Sequence, residues 1–163
     1  MSTTFDRAEQ YCQSRDLTII HRLGFGVHGR VFATQNHVNG EQSALKSFER
    51  EPHYQRERDI YLRLRSLGVM NICGSVVPQL LEYDDELWVI EMTIVARPFV
   101  LDFAGAYLDH PPDFSEEVLE EWESEKRDQF GSRWPEAQRI LNELESIGVY
   151  MADVNPGNIA FEE

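Results

Sequence analysis

Apolar and polar positions along the chain follow two different rhythms. Residues 4–15 are weakly helical in pattern. Leu17-Thr18-Ile19-Ile20 then reads as a strand, and Arg30-Val31-Phe32-Ala33-Thr34 as another, with Gly24-Phe25-Gly26-Val27-His28-Gly29 between them. The stretch Asn36-His37-Val38-Asn39-Gly40 ends in Asn-Gly, a strong hairpin signal, and Gln42 to Phe48 predicts a third strand. Pro52 suits the first turn of a helix, where its missing N–H is not needed. Over 53–67, Ile60, Tyr61, Leu64 and Leu67 recur at helical spacing, and Gly68 is placed to cap the end. Val76 to Tyr83 and Leu87 to Val95 predict two more strands around the polar turn Asp84-Asp85-Glu86.

Beyond Pro98 the rhythm is lost, and 98–114 is expected to be irregular, closed by Pro111-Pro112. Glu116 to Phe130 predicts a helix with Val118, Leu119 and Trp122 on one side. Pro135 opens a cleaner one, with Ala137, Ile140, Leu141, Leu144 and Ile147 at i, i+3, i+4, i+7 and i+10, ended by Gly148. A polar loop, Asp153-Val154-Asn155-Pro156-Gly157-Asn158, precedes Ile159-Ala160-Phe161, which has strand character. The expected fold class is α+β: a five-stranded antiparallel sheet with one packed helix over about 17–95, and a reduced helical part over 96–163, in a single domain of 163 residues.

Composition narrows the classes. Hydrophobic residues are 42% and charged residues 27%, values of a folded chain rather than a fibre or a disordered tail. No run approaches the roughly 18 apolar residues of a spanning helix, and the first residues lack the pattern of a secretory signal. The two cysteines, Cys12 and Cys73, form no metal-binding or redox spacing, so a cytoplasmic setting is expected. The net charge of −14 opposes nucleic acid and anionic membrane surfaces as partners. Charge is also segregated. Residues 113–125 hold seven carboxylates (Asp113, Glu116, Glu117, Glu120, Glu121, Glu123, Glu125), and 56–65 hold Arg56, Arg58, Arg63 and Arg65. Each run reads as a solvated helix face, or as one side of a docking contact within the chain or across a dimer.

Four constellations carry candidate chemistry. Gly24, Gly26 and Gly29, followed by Val31, form a glycine-rich hairpin whose backbone N–H groups can approach phosphate oxygens, or a plain turn. A strand rather than a helix follows, which excludes a dinucleotide fingerprint. Strand alternation puts Ala44 and Lys46 on one face and Leu45 on the other. Glu57 shares the inward helix face with Ile60, Tyr61 and Leu64; a carboxylate buried there needs a cation, for which Lys46, Arg58 or solvent are the alternatives. Asp153 and Asn158, in one tight loop, are a candidate proton acceptor and a candidate metal ligand, or the parts of an ordinary turn.

Taken in order, these features resemble the eukaryotic-like protein kinase superfamily over roughly residues 17–161. The resemblance implies ATP and Mg2+ as cofactors. It places Gly24, Gly26 and Gly29 over the phosphates, Val31 and Ala44 around the adenine, and Lys46 on the α- and β-phosphates and paired with Glu57. Ile90 takes the gatekeeper place, the backbone of Glu91, Met92 and Thr93 the hinge. Asp153 matches the catalytic aspartate and Asn158 the metal-binding asparagine. Departures accompany it. Met151 and Ala152 stand where the family carries His-Arg, and Asn155 where Ser/Thr kinases carry a lysine. Five residues follow Asn158, enough extended chain for about 17 Å, so on this resemblance the Asp-Phe-Gly motif and the activation segment are expected to be lacking. Asp102-Phe103-Ala104-Gly105 imitates that motif upstream, which makes Asp102 an alternative metal ligand. The expected function is an ATP-binding, kinase-like phosphotransferase with weak or lost activity. The alternatives are a pseudokinase-type interaction module, partnering another protein or forming a homodimer through the shortened helical part, and a small-molecule kinase.

Overall fold

Period-two alternation and period-3.6 stripes become, in chain order, α1 (Thr4–Ser14), β1 (Leu17–Gly26), β2 (Gly29–Asn36), β3 (Gln42–Phe48), α2 (Glu51–Ser66), β4 (Asn71–Ile72), β5 (Ser75–Val76), β6 (Leu80–Asp84), β7 (Val89–Met92), β8 (Phe99–Val100), β9 (Tyr107–Leu108), α3 (Glu116–Phe130), α4 (Trp134–Ser146), β10 (Val149–Tyr150) and β11 (Ile159–Ala160). This computed structural model describes every residue except Val27, Leu101, Asp102, Asp153 and Glu163, and describes Phe25 and Gly26 by their backbone only. The architecture is α+β. Its largest sheet has five antiparallel strands in the order β1-β2-β3-β7-β6.

Alternation along β3 sorts side chains to two cores. Leu45 faces one side, where α1 lays Ala8, Tyr11 and Cys12 against Leu17, Phe32, Leu45 and Val89. Ala44 and Phe48 face the other, where α2 contributes Tyr54, Ile60, Tyr61 and Leu64. This second core runs on without interruption to Ala137, Ile140 and Leu144 of α4. The helix ends follow local chemistry. Thr3 and Asp6 exchange side-chain and backbone hydrogen bonds in a capping box that starts α1. Pro52 lies in the first turn of α2, and Gly68, at φ +67°, ends it in a conformation that favours glycine. Arg7 fastens α1 to the sheet, donating to the carbonyls of Leu87 and Phe48.

Several expectations need correction. The β2–β3 hairpin forms where Asn39-Gly40 marked it, through a turn longer than two residues. Asn36 Oδ1 accepts the N–H groups of Val38 (2.8 Å) and Asn39 (3.1 Å), and Gly40 takes φ +75° at the far side. The segment Val76–Tyr83 is not one strand: Val76 belongs to β5, and pairing with β7 begins at Leu80. Residues 98–114 are not wholly irregular, because β8 and β9 pair within them. A second sheet runs β11-β8-β5-β4, and β10 pairs with β9. Two-residue strands have no alternation to read; their partners define them. In α3 packing begins at Trp122, which lies against the core. Lys126 and Phe130 are buried, while Val118 and Leu119 stay 43% and 47% exposed. Among the described residues, no helix is long and apolar enough to cross a membrane.

Candidate functional site

Between the sheet, α2 and the 151–158 segment lies a cleft of about 370 Å³. Leu23 and Gly24 of β1, Val31 of β2 and Ala44 and Lys46 of β3 form one wall. Glu57 and Tyr61 of α2 close the inner end. Met92, Thr93, Ile94 and Val95 run along the edge beside Pro78, and Gly157 faces the strands from the loop after α4.

Lys46 and Glu57 meet as the helix and strand periodicities require. Lys46 shares its strand face with Ala44, and Glu57 shares its helix face with Ile60, Tyr61 and Leu64, all buried. Lys46 Nζ donates to both carboxylate oxygens, at 2.8 Å and 3.1 Å, and lies 4.9 Å from the centre of the Phe48 ring. The two residues are 3% and 1% exposed. A charge pair this dry persists through direct hydrogen bonding, since either ion alone would be expensive to bury. Of the cations available to Glu57, Arg58 is not the one chosen. It turns outward to Asp85 (2.7 Å) and Asp59 (2.8 Å).

The other candidate residues divide. Gly24, Val31, Ala44, Met92 and Thr93 line the cleft; Gly29 and Glu91 do not, and the surroundings of Gly26 lie outside what the structure describes. Gly29 has a packing reason of its own: a Cβ there would collide with the backbone carbonyl of Ser47 on β3. Nothing lies within 4 Å of a Cβ added at Gly24. Glu91 points through the sheet to the α1 side, accepting from Tyr11 Oη (2.8 Å) and Ser43 Oγ (2.8 Å). Ile90 is buried opposite Lys46, and Met92, opposite Ala44, lines the cleft. The open edge is also displaced. The Thr93 N–H is bound to the Gln79 carbonyl at 2.9 Å, one residue before β6, and so is already taken. Among the described residues nothing hydrogen-bonds the backbone of Ile94 or Val95.

The loop after α4 closes on itself. Asn158 Oδ1 accepts the Asn155 N–H (2.9 Å), and Asn155 Oδ1 accepts the Gly157 N–H (2.7 Å). Asn158 is 5% exposed and anchors this turn. Asp153 and Asp102 lie outside the described residues. Among the described residues no three carboxylate, imidazole or thiol groups gather as a metal would need. Trp122 Nε1 donates to the Ala152 carbonyl at 2.8 Å and ties α3 to the residue before Asp153.

Leu23, Tyr61, Pro78, Ile94, Val95 and Gly157 join the site without having been assigned to it. Leu23 was findable, as an apolar strand residue just before the first glycine. Tyr61 stood one turn after Glu57 on the same face. Nothing local marks Pro78, which reaches the cleft through the path of the chain between β5 and β6. Comparison with known proteins adds no relative to this geometry: no protein-family model matches the chain, and no curated protein matches it.

Proposed function

We propose that this cleft binds ATP in a kinase-like manner, with phosphoryl transfer weak or lost. The observation that carries the reading is the buried Lys46–Glu57 pair at the inner end of an otherwise apolar cleft. A cation held in place by a hydrogen-bonded carboxylate is suited to receive polyphosphate oxygens, and costs little reorganisation when they arrive. The apolar wall of Leu23, Val31, Ala44 and Met92 suits a planar base. The open backbone of Ile94 and Val95 offers donors and acceptors to its edge. Weak transfer is supported by Met151 and Ala152, which stand before Asp153 where kinases carry His-Arg.

Thermal denaturation with nucleotide tests the reading. ATP at about 100 times its dissociation constant stabilises by about 2.7 kcal/mol. The wild type is expected to melt higher with ATP, and Lys46→Ala is not. No shift with ATP, ADP or GTP, with and without magnesium, discards the proposal. One observation favours a second reading, an interaction module built on α3. The apolar side of this helix overhangs the core, leaving Phe114, Val118 and Leu119 exposed among the carboxylates of 113–125. Sedimentation velocity on the wild type and on a Val118→Ser, Leu119→Ser variant checks it; a monomer in both at high concentration removes self-association.

A further inference from the structure

Whatever fixes α2 also fixes Glu57 on Lys46. The N-terminal half of α2 is held where Tyr54 Oη and Arg58 both donate to Asp85 Oδ1, each at 2.7 Å. The C-terminal half is held by Arg63, six residues on from Glu57 and so about 9 Å along the axis. Its guanidinium grips Asp109 fork on fork, Nη1 to Oδ1 at 2.8 Å and Nη2 to Oδ2 at 2.7 Å. Nη1 also donates to the Ile147 carbonyl at 3.1 Å.

The seat of this guanidinium is shaped for it. Asp109 takes φ +65°, and its N–H donates to the Gly148 carbonyl at 2.7 Å, extending the β9–β10 pairing. Gly148 takes φ +86°, and a Cβ there would stand 2.5 Å from Asp109 Oδ1 and 2.6 Å from Arg63 Nη1. Three segments remote in sequence therefore converge on one side chain: α2, β9 and the turn from α4 into β10. From β10 the chain passes directly into the 151–158 loop, which brings Gly157 to the cleft. A half-exposed ion pair adds little to global stability. A bidentate fork, in contrast, fixes distance and orientation.

We propose that Arg63 is a positioning residue. Its clamp on Asp109 and the Ile147 carbonyl holds α2 against β10, so that Glu57 stays on Lys46 and the 151–158 loop stays at the cleft. The functional half of this inference rests on the nucleotide reading; the geometric half does not. Lys46 reports the geometry directly, because its amine is shielded by Glu57. The rate of Lys46 acetylation by a small N-hydroxysuccinimide ester, read by peptide mass spectrometry, is expected to be slow in the wild type and fast in Glu57→Gln. Arg63→Ala and Asp109→Asn are each expected to raise it about threefold, and Arg63→Lys by less, since an ammonium cannot fork. Arg133→Ala, which breaks the surface pair with Glu136 away from α2, is expected to match the wild type. Equal rates in the wild type, Arg63→Ala and Asp109→Asn overturn the proposal, and so does an equal rise in Arg133→Ala. Arg63→Lys and Asp109→Asn preserve the test if Arg63→Ala does not fold. ATP affinity is expected to fall in the same order. If the wild type binds no nucleotide while the acetylation rates still separate, the nucleotide reading fails and the clamp stands.

Discussion

Lys46 and Glu57 have so little solvent contact that neither tolerates losing the other. Removing one member of a buried pair typically costs about 3–5 kcal/mol, whereas replacing both by apolar residues of similar size is far milder. Glu57→Ala is therefore expected to lose most of that in urea denaturation, and Lys46→Met with Glu57→Leu to recover much of it. A double variant no more stable than Glu57→Ala contradicts this. The glycines give a second contrast at the same scale. Gly29→Ala drives a methyl into the Ser47 carbonyl, where overpacking costs about 1–3 kcal/mol. Gly24→Ala meets open space and is expected to stay within about 0.5 kcal/mol of the wild type. Equal losses in chemical denaturation remove the distinction drawn here between them.

Helix α1 is a covering element, and its chemistry follows from being covered. Burial pushes the Cys12 thiol up to about 11, with Glu91 adding to the effect, whereas Cys73 is exposed. At pH 8 a thiol reagent is expected to modify Cys73 in the native protein and to reach Cys12 only as the protein unfolds; prompt labelling of both shows that α1 does not stay docked. At the other face, hydrogen bonds from Tyr54 and Arg58 hold the Asp85 carboxyl below its usual range. A depressed carboxyl contributes stability above the unfolded value of about 4 and loses it as pH falls through the lower folded value. Asp85→Asn is expected to be less stable than the wild type near neutrality and to flatten the acid limb of a stability–pH curve. Parallel curves for the two proteins exclude that contribution.

Over the whole molecule, the charge of −14 is a liability for compactness. The carboxylates of 113–125 are all solvent-exposed, as a solvated helix face requires. The arginines of 56–65 do not meet them. Arg58 and Arg63 take Asp85 and Asp109, and Arg56 lies over the Tyr107 ring. With repulsion uncompensated at α3, raising the salt from about 0.01 M to about 0.1 M shortens the screening length from about 30 Å to about 10 Å and is expected to raise the melting temperature. A fall would mean that the ion pairs outweigh the repulsion.

What the residues determined alone was whatever depends on neighbours a few positions away. The limits of β3 and α3 were read as they stand, because strand alternation and helix capping are local. The shared face of Ala44 and Lys46, and that of Glu57 with Ile60, Tyr61 and Leu64, followed from the same two periods. The short strands β4, β5, β8, β9 and β10 were invisible, since two residues carry no pattern and only a distant partner makes them strands. Tertiary structure alone decided that the Glu91 carboxylate turns to Tyr11 of α1, that the Gln79 carbonyl takes the Thr93 N–H and leaves the open edge at Ile94 and Val95, and that Arg63 reaches Asp109 across 46 residues of chain. Each is a hydrogen bond between groups with several available partners, and the choice among partners is made by which elements come to lie side by side.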